Sequence, residues 1–203
     1  DHFKTILDIT PEIVAHDLHP GYLSTQFARD RFPDTLPRVG VQHHHAHAVS
    51  CMVENHLDEK VVAVVLDGTG YGTDGCIWGG EILIAERDAF VRKAHLRYLP
   101  MPGGDQAVRH PWRMAAAVLH AAFGPSFVDL DLPYIKEMDP DQLAFVCRMI
   151  QKQVNPPQTS SCGRLCDAVS SLLCIRHVMS FDGQAAMELE AVATDDFKRP
   201  LTP

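Results

Sequence analysis

Four histidines fall within five positions, at His43, His44, His45 and His47, with Ala46 between them. They follow the apolar run 38–42 and open a stretch to residue 57 that reads as a helix. On a helix His43 and His47 share one face about 6 Å apart, the separation at which two imidazoles chelate one cation. A lone histidine is ordinarily a surface or satisfied core residue. The run leaves a metal site and a structural role about equally open. An imidazole pair needs a further ligand, and Asp67 is the candidate. It ends the strand-like run 60–66 at its carboxyl end, where open α/β sheets collect ligands. His43, His47 and Asp67 would offer mixed nitrogen and oxygen donors, suited to Fe(II), Zn(II) or Mn(II) with open positions. The plainer role for Asp67 is to start a turn.

Gly68, Gly70, Gly72 and Gly75 let the backbone approach a ligand closely, and Thr69 adds a hydroxyl. Backbone N–H groups in such a turn can cradle phosphate, although glycine-rich loops between strands are ordinarily hairpins. The segment 159–167, TSSCGRLCD, leads into a helix. There Gly163 could leave room for a nucleotide at the helix start, and Asp167 could reach ribose hydroxyls. Capping by Thr159, Ser160 or Ser161 explains part of this segment equally well.

These residues need a frame to hold them. The pattern predicts a strand over 12–16, a helix over 24–31 capped by Ser24 and stopped by Pro33, and a buried strand over 37–42. Positions 46, 49, 52, 53 and 57 form an apolar helical stripe. The run 60–66, KVVAVVL, is apolar on both faces and predicts a central strand covered on both sides. A loop over 67–75 and strands over 76–86 and 90–98 come next. A turn at 101–105 then leads to helices over 107–123, 141–153, 162–179 and 184–193. Pro111 falls near the first turn of its helix, and Asn155-Pro156-Pro157 makes a break. The class is α/β, a mixed sheet followed by a helical half. Residues 1–100 are strand-rich and carry the metal and phosphate motifs, and 101–203 are mainly helical.

Composition bounds the partners. The net charge of −8 works against non-specific nucleic-acid binding. No apolar run approaches the ~20 residues of a membrane span, and no signal-peptide pattern opens the chain. Six cysteines without a C-x-x-C pair read as small buried thiols of a reducing, cytoplasmic protein. Cys162 and Cys166 could share a helix face, which is a weak argument for zinc. A chain starting at Asp1 and stopping just after a helical segment reads as a piece of something longer.

Taken in order, VQHHHAH (41–47), LDGTGYGTDG (66–75), WGGE (78–81), LPMPGGD (99–105), HPWRMA (110–115), TSSCGRLCDAV (159–169) and DGQAAMELE (182–190) resemble the HypF family. These are the carbamoyltransferases that mature nickel–iron hydrogenases, and the resemblance covers most of the chain. It implies part of an actin/Hsp70-like (ASKHA) nucleotide-binding fold. By motif, His43 and His47 match metal ligands and Asp67 the carboxylate that joins them. Gly68, Thr69, Gly70 and Gly72 would meet phosphate, and Gly163 and Asp167 match a G-x-x-x-D pattern used against ribose. His44 and His45 receive no role and face either core or solvent.

The resemblance further implies a divalent cation (Fe or Zn, with Mg or Mn as alternatives) and ATP-derived carbamoyl-adenylate as substrate. The adenylate would come from another domain of the same longer chain, and the acceptor would be the C-terminal cysteine of HypE. The thiocarboxamide formed there is dehydrated towards the cyanide ligand of the metal centre. A further metal-binding carboxylate is expected from a stretch outside these residues. Two other functions stay open: a relative that carbamoylates a small molecule or tRNA adenosine, and a non-catalytic nucleotide-binding module that docks HypE.

Overall fold

The computed structural model describes residues 2–33, 35–152 and 156–193. The first part of the chain runs α1 (His2–Leu7), β1 (Val14–Asp17), α2 (Leu23–Arg31), β2 (Arg38–Val41), α3 (His43–Glu54), β3 (Val61–Tyr71), β4 (Ile77–Ala85), β5 (Phe90–His95) and β6 (Leu99–Pro100). Helices then dominate: α4 (Asp105–Arg109), α5 (Pro111–Phe123), a 3-10 turn (Gly124–Asp129), α6 (Pro133–Glu137) and α7 (Pro140–Gln151). The short strand β7 (Gln158–Thr159) precedes α8 (Cys162–Leu172) and α9 (Gln184–Val192). This is the α/β order expected, strands first and helices second. Two compact units form, one from Asp1–Val65, Gly70–Gly75 and Glu81–Ala94, the other from Leu66–Thr69, Cys76–Gly80 and His95–Pro203.

In the first unit β1 and β2 pair in parallel, with Asp17 opposite Val41. That register sets the carboxyl end of β1 beside the residue two before His43. Gln42 starts α3 by accepting the N–H of His45 on its side chain at 2.9 Å. The buried face of α3 is His44, His45, Ala48 and Met52, so the expected stripe is displaced and Ala46 and Val53 face outward. Ala48 and Met52 pack with Val65, Leu83 and Ala85, joined by Leu57, Val61, Ala63 and Phe90. The helix α2 begins at Leu23, and its cap is Tyr22 without a side-chain bond, so Ser24 is not the cap.

Two expectations for the central strand are corrected. Val62, Val64 and Leu66 are about two-thirds exposed, so among the described residues β3 is covered on one face only. Its β-branched residues fit a pleated strand whether or not the outer face is covered, so the run alone does not report covering. Nor does the strand stop at Leu66: it continues through the glycines to Tyr71, and the turn comes only at Gly72–Gly75, where Gly75 N–H donates to Gly72 O. Gly75 takes the left-handed conformation that the turn requires (φ +79°).

In the second unit Ile77 of β4 pairs in parallel with Thr159 of β7, and β6 lies antiparallel to β7, which makes the pairing mixed. Its core is built on α5, with Met114, Ala115, Ala116, Ala117 and Leu119 packed against Phe127, Tyr134, Val146 and Ala168. The helix expected over 107–123 is two helices, because Pro111 has no N–H to continue a helix and starts the next one instead. Asp139 caps α7 by accepting from the N–H groups of Asp141 and Gln142. The helix expected over 162–179 ends at Leu172. The helix predicted to reach 153 ends at Gln151 and the one predicted to reach 193 ends at Val192, while residue 155 of the expected break lies outside the described residues. No described helix is long and apolar enough to cross a membrane.

Candidate functional site

His43 and His47 face each other across one turn of α3, with their Nε2 atoms 3.3 Å apart. Asp17 orients the pair. Its Oδ2 lies 2.8 Å from His43 Nδ1, and its Oδ1 accepts the N–H of His19 at 2.7 Å. A carboxylate on Nδ1 places the ring proton there, which leaves the lone pair of His43 Nε2 directed at His47. This is the outer partner that metal-bound histidines ordinarily have. His47 is exposed, so that side of the pair is open to a ligand.

The two middle histidines are structural. His44 is fully buried, and its Nδ1 accepts from Gln42 Nε2 at 3.2 Å. His45 is nearly buried, with Nε2 2.7 Å from the Glu86 carbonyl and its ring against Phe90. Gln42 Nε2 also donates to the Tyr71 carbonyl at 3.1 Å, tying the helix start to the end of β3. Gly70 permits this arrangement, since a Cβ there would lie 2.4 Å from His44 Cε1 and 2.9 Å from His43 Cδ2. The glycine is needed because imidazole rings occupy the space of its side chain.

Asp17 was not among the residues singled out for chemistry. The signal was the segment Asp17-Leu18-His19-Pro20, where a carboxylate closes a short strand, but only the β1–β2 register connects it to His43. An Asp17→Asn variant should weaken cation binding at the histidine pair by roughly 10–100-fold. Metal titration followed through the imidazole NMR signals of His43 and His47 measures this.

In the second unit, Asp67 and Gly68 lie against the start of α8. Asp67 Oδ1 accepts the Gly68 N–H at 2.6 Å. Ser161, the N-cap of α8, accepts the Arg164 N–H at 3.0 Å, and its hydroxyl reaches the carbonyls of Asp67 and Gly68. A Cβ on Gly163 would lie 2.8 Å from Gly68 Cα, so the Gly68 backbone fills the space beside Gly163. Gly79 makes a similar approach, 2.5 Å from the Asp67 carbonyl for an added Cβ. Thr69 is exposed, whereas Gly72, in the first unit, is buried where the turn begins.

Asp167 is buried on α8. Arg164 Nε is 2.9 Å from its Oδ2 at an angle unsuited to a hydrogen bond, and among the described residues neither Asp167 oxygen accepts one. Burial pushes the carboxyl up to about 6; Arg164 pulls it down but does not prevail, and Asp182 adds to the rise. Between the ordinary value of 3.8 and about 6 the folded chain holds a proton that the unfolded chain has released. Stability from this group is therefore greatest below that window and falls as pH rises through it, by on the order of 3 kcal/mol. Asp167→Asn should remove this dependence and stabilise the chain at pH 7, which unfolding measured from pH 4 to 8 would register.

Residues 63–202 match the family described as "Carbamoyltransferase, Kae1-like Domain, second subdomain", and residues 1–54 match "HypF Kae1-like domain". The chain is 44% identical over 98% of its length to Carbamoyltransferase HypF2 of Cupriavidus necator and 40% identical over 94% to Carbamoyltransferase HypF of Rhizobium leguminosarum bv. viciae, spanning 24% of each relative. A crystal structure of full-length HypF in the phosphate- and nucleotide-bound form superposes with a TM-score of 0.86 at 44% identity, over 95% of this chain and 25% of that one. HypF from T. kodakarensis superposes at 0.83 with 34% identity, over 94% of this chain and 26% of that one. The chain belongs to the HypF carbamoyltransferase family, as part of its Kae1-like domain.

Proposed function

We propose that this chain is the carbamoyl-transfer part of a longer HypF-type enzyme, in which His43, His47 and Asp67 hold a divalent cation beside a bound adenylate. The observation that carries the proposal is the histidine pair. Two nitrogens at about 2.1 Å from a tetrahedral cation are about 3.4 Å apart, and the two Nε2 atoms are 3.3 Å apart. Asp67 lies on β3 three residues before Gly70, the glycine that makes room for the His43 and His44 rings. Two imidazoles and a carboxylate suit Zn(II) or Fe(II) ahead of Mg(II) or Mn(II). When bound there, the cation would act as a Lewis acid towards phosphate oxygen.

The chain's own groups do the rest. Gly68, Gly70 and Gly72 let phosphate come close to the backbone, and the Thr69 hydroxyl donates to it. Gly163 lets Gly68 reach the start of α8, and Asp167, whose oxygens accept no hydrogen bond among the described residues, takes the ribose hydroxyls. That a full-length relative was solved in a phosphate- and nucleotide-bound form supports a nucleotide substrate for the longer enzyme. The acceptor is the C-terminal cysteine of HypE. Its thiolate forms a C–S bond to the carbamoyl carbon, and the bond to the phosphate oxygen breaks, with AMP leaving with the electron pair. Donors fixed on that phosphate favour the charge that develops there. The nucleophile belongs to the partner, and the adenylate comes from another domain of the longer chain. The thiocarboxamide formed is later dehydrated towards the cyanide ligand of the nickel–iron centre. We place the reaction in the cytoplasm, where the six free thiols stay reduced.

The test supplies full-length enzyme with HypE, carbamoyl phosphate and ATP and measures thiocarboxamide by mass spectrometry. Formation by the parent and its loss in His47→Ala is the expected result. Undiminished formation in His47→Ala would overturn the reading.

A further inference from the structure

We propose that Glu137, Cys174 and His177 form a second divalent-cation site, fitted to Zn2+, at the carboxyl end of α8. One ligand atom from each residue lies within 4.8 Å of the others. His177 Nε2 is 3.0 Å from Glu137 Oε2, and the Cys174 Sγ lies within 4.8 Å of both residues' ligand atoms. The remaining ring nitrogen of His177, Nδ1, is 2.8 Å from Ser171 Oγ. One nitrogen is thus held by a protein partner while the other faces the thiol and the carboxylate. That is how outer partners orient metal-bound histidines. Thiolate, imidazole and carboxylate together select zinc, and three protein donors leave water the fourth tetrahedral position.

The backbone singles out Cys174. The helix closes with the Cys174 N–H donating to Ser171 O at 3.0 Å and the Ile175 N–H to Ser170 O at 2.9 Å, the pattern of a Schellman motif. Its left-handed position ordinarily holds glycine, yet here Cys174 occupies it at φ +56°. A Glu137–His177 ion pair alone would need no thiol at this place, whereas a zinc site needs one. On binding, the thiol proton leaves to solvent and the sulfur lone pair forms the metal bond. The trio shares no residue with the His43–His47 pair, so each site can fail independently of the other.

The test is Co2+ titration of the 203-residue chain carrying His43→Ala and His47→Ala, which removes the other pair. Thiolate-to-cobalt charge-transfer absorption should appear and be displaced by Zn2+. Cys174→Gly, a substitution that suits the left-handed backbone and keeps the fold, should abolish it. His177→Gln should weaken binding at least about tenfold. Zn2+ should also raise the melting midpoint of the parent but not that of Cys174→Gly. An equal thiolate band in Cys174→Gly, or no band in the parent, would overturn the proposal.

Discussion

A HypF-type enzyme carrying both His43→Ala and His47→Ala in this domain should transfer carbamoyl at least about 100-fold more slowly than its parent, with adenylate formation unchanged. Two features give the effect this size. The histidine nitrogens stand at chelating distance, and Asp17 fixes the tautomer that directs the lone pair of His43 inward. His44 and His45 are buried with their own hydrogen-bond partners, so replacing them should act through folding and lower the melting midpoint. Single-turnover transfer from preformed carbamoyl-adenylate separates the transfer step from the preceding one. A double variant that transfers at the parental rate would remove the pair from the mechanism.

The largest structural effect is expected at Gly79. An added Cβ would sit 2.5 Å from the Asp67 carbonyl oxygen and 3.0 Å from Ser161 Cα. Both are backbone atoms, so no side-chain rotation relieves the clash. Overpacking of this kind costs about 1–3 kcal/mol. Here it also separates Asp67 from Ser161, whose hydroxyl ties Asp67 and Gly68 to the start of α8. Gly79→Ala should therefore lower the melting midpoint by roughly 4–10 °C and weaken nucleotide binding. Gly75→Ala is the control: nothing lies within 4 Å of its added Cβ, and only its positive φ opposes the change, at about 1 kcal/mol. Equal midpoints for the two variants, measured by thermal unfolding with nucleotide titration alongside, would contradict this reading of Gly79.

The helical spacing of His43 and His47 and the capping of α8 by one of Thr159, Ser160 and Ser161 were legible in the sequence, because each is a local pattern. Asp17 was not. Its role depends on two strands pairing in parallel with Asp17 opposite Val41, a non-local fact. The extent of β3 was misread for a related reason. Gly68 and Gly70 resemble a loop until their neighbours are seen: Gly163 beside one and histidine rings beside the other. Hydrophobicity overstated the covering of β3, since Val62, Val64 and Leu66 satisfy strand preference while facing outward. Cys174 looked like one more buried thiol, and only its left-handed backbone distinguishes it.

Metal analysis of the purified chain beside its His43→Ala, His47→Ala variant tests the central claim most directly. A zinc or iron content one equivalent higher in the parent is the predicted result, whatever the Cys174 site retains in both. Equal metal content in the two proteins would contradict it.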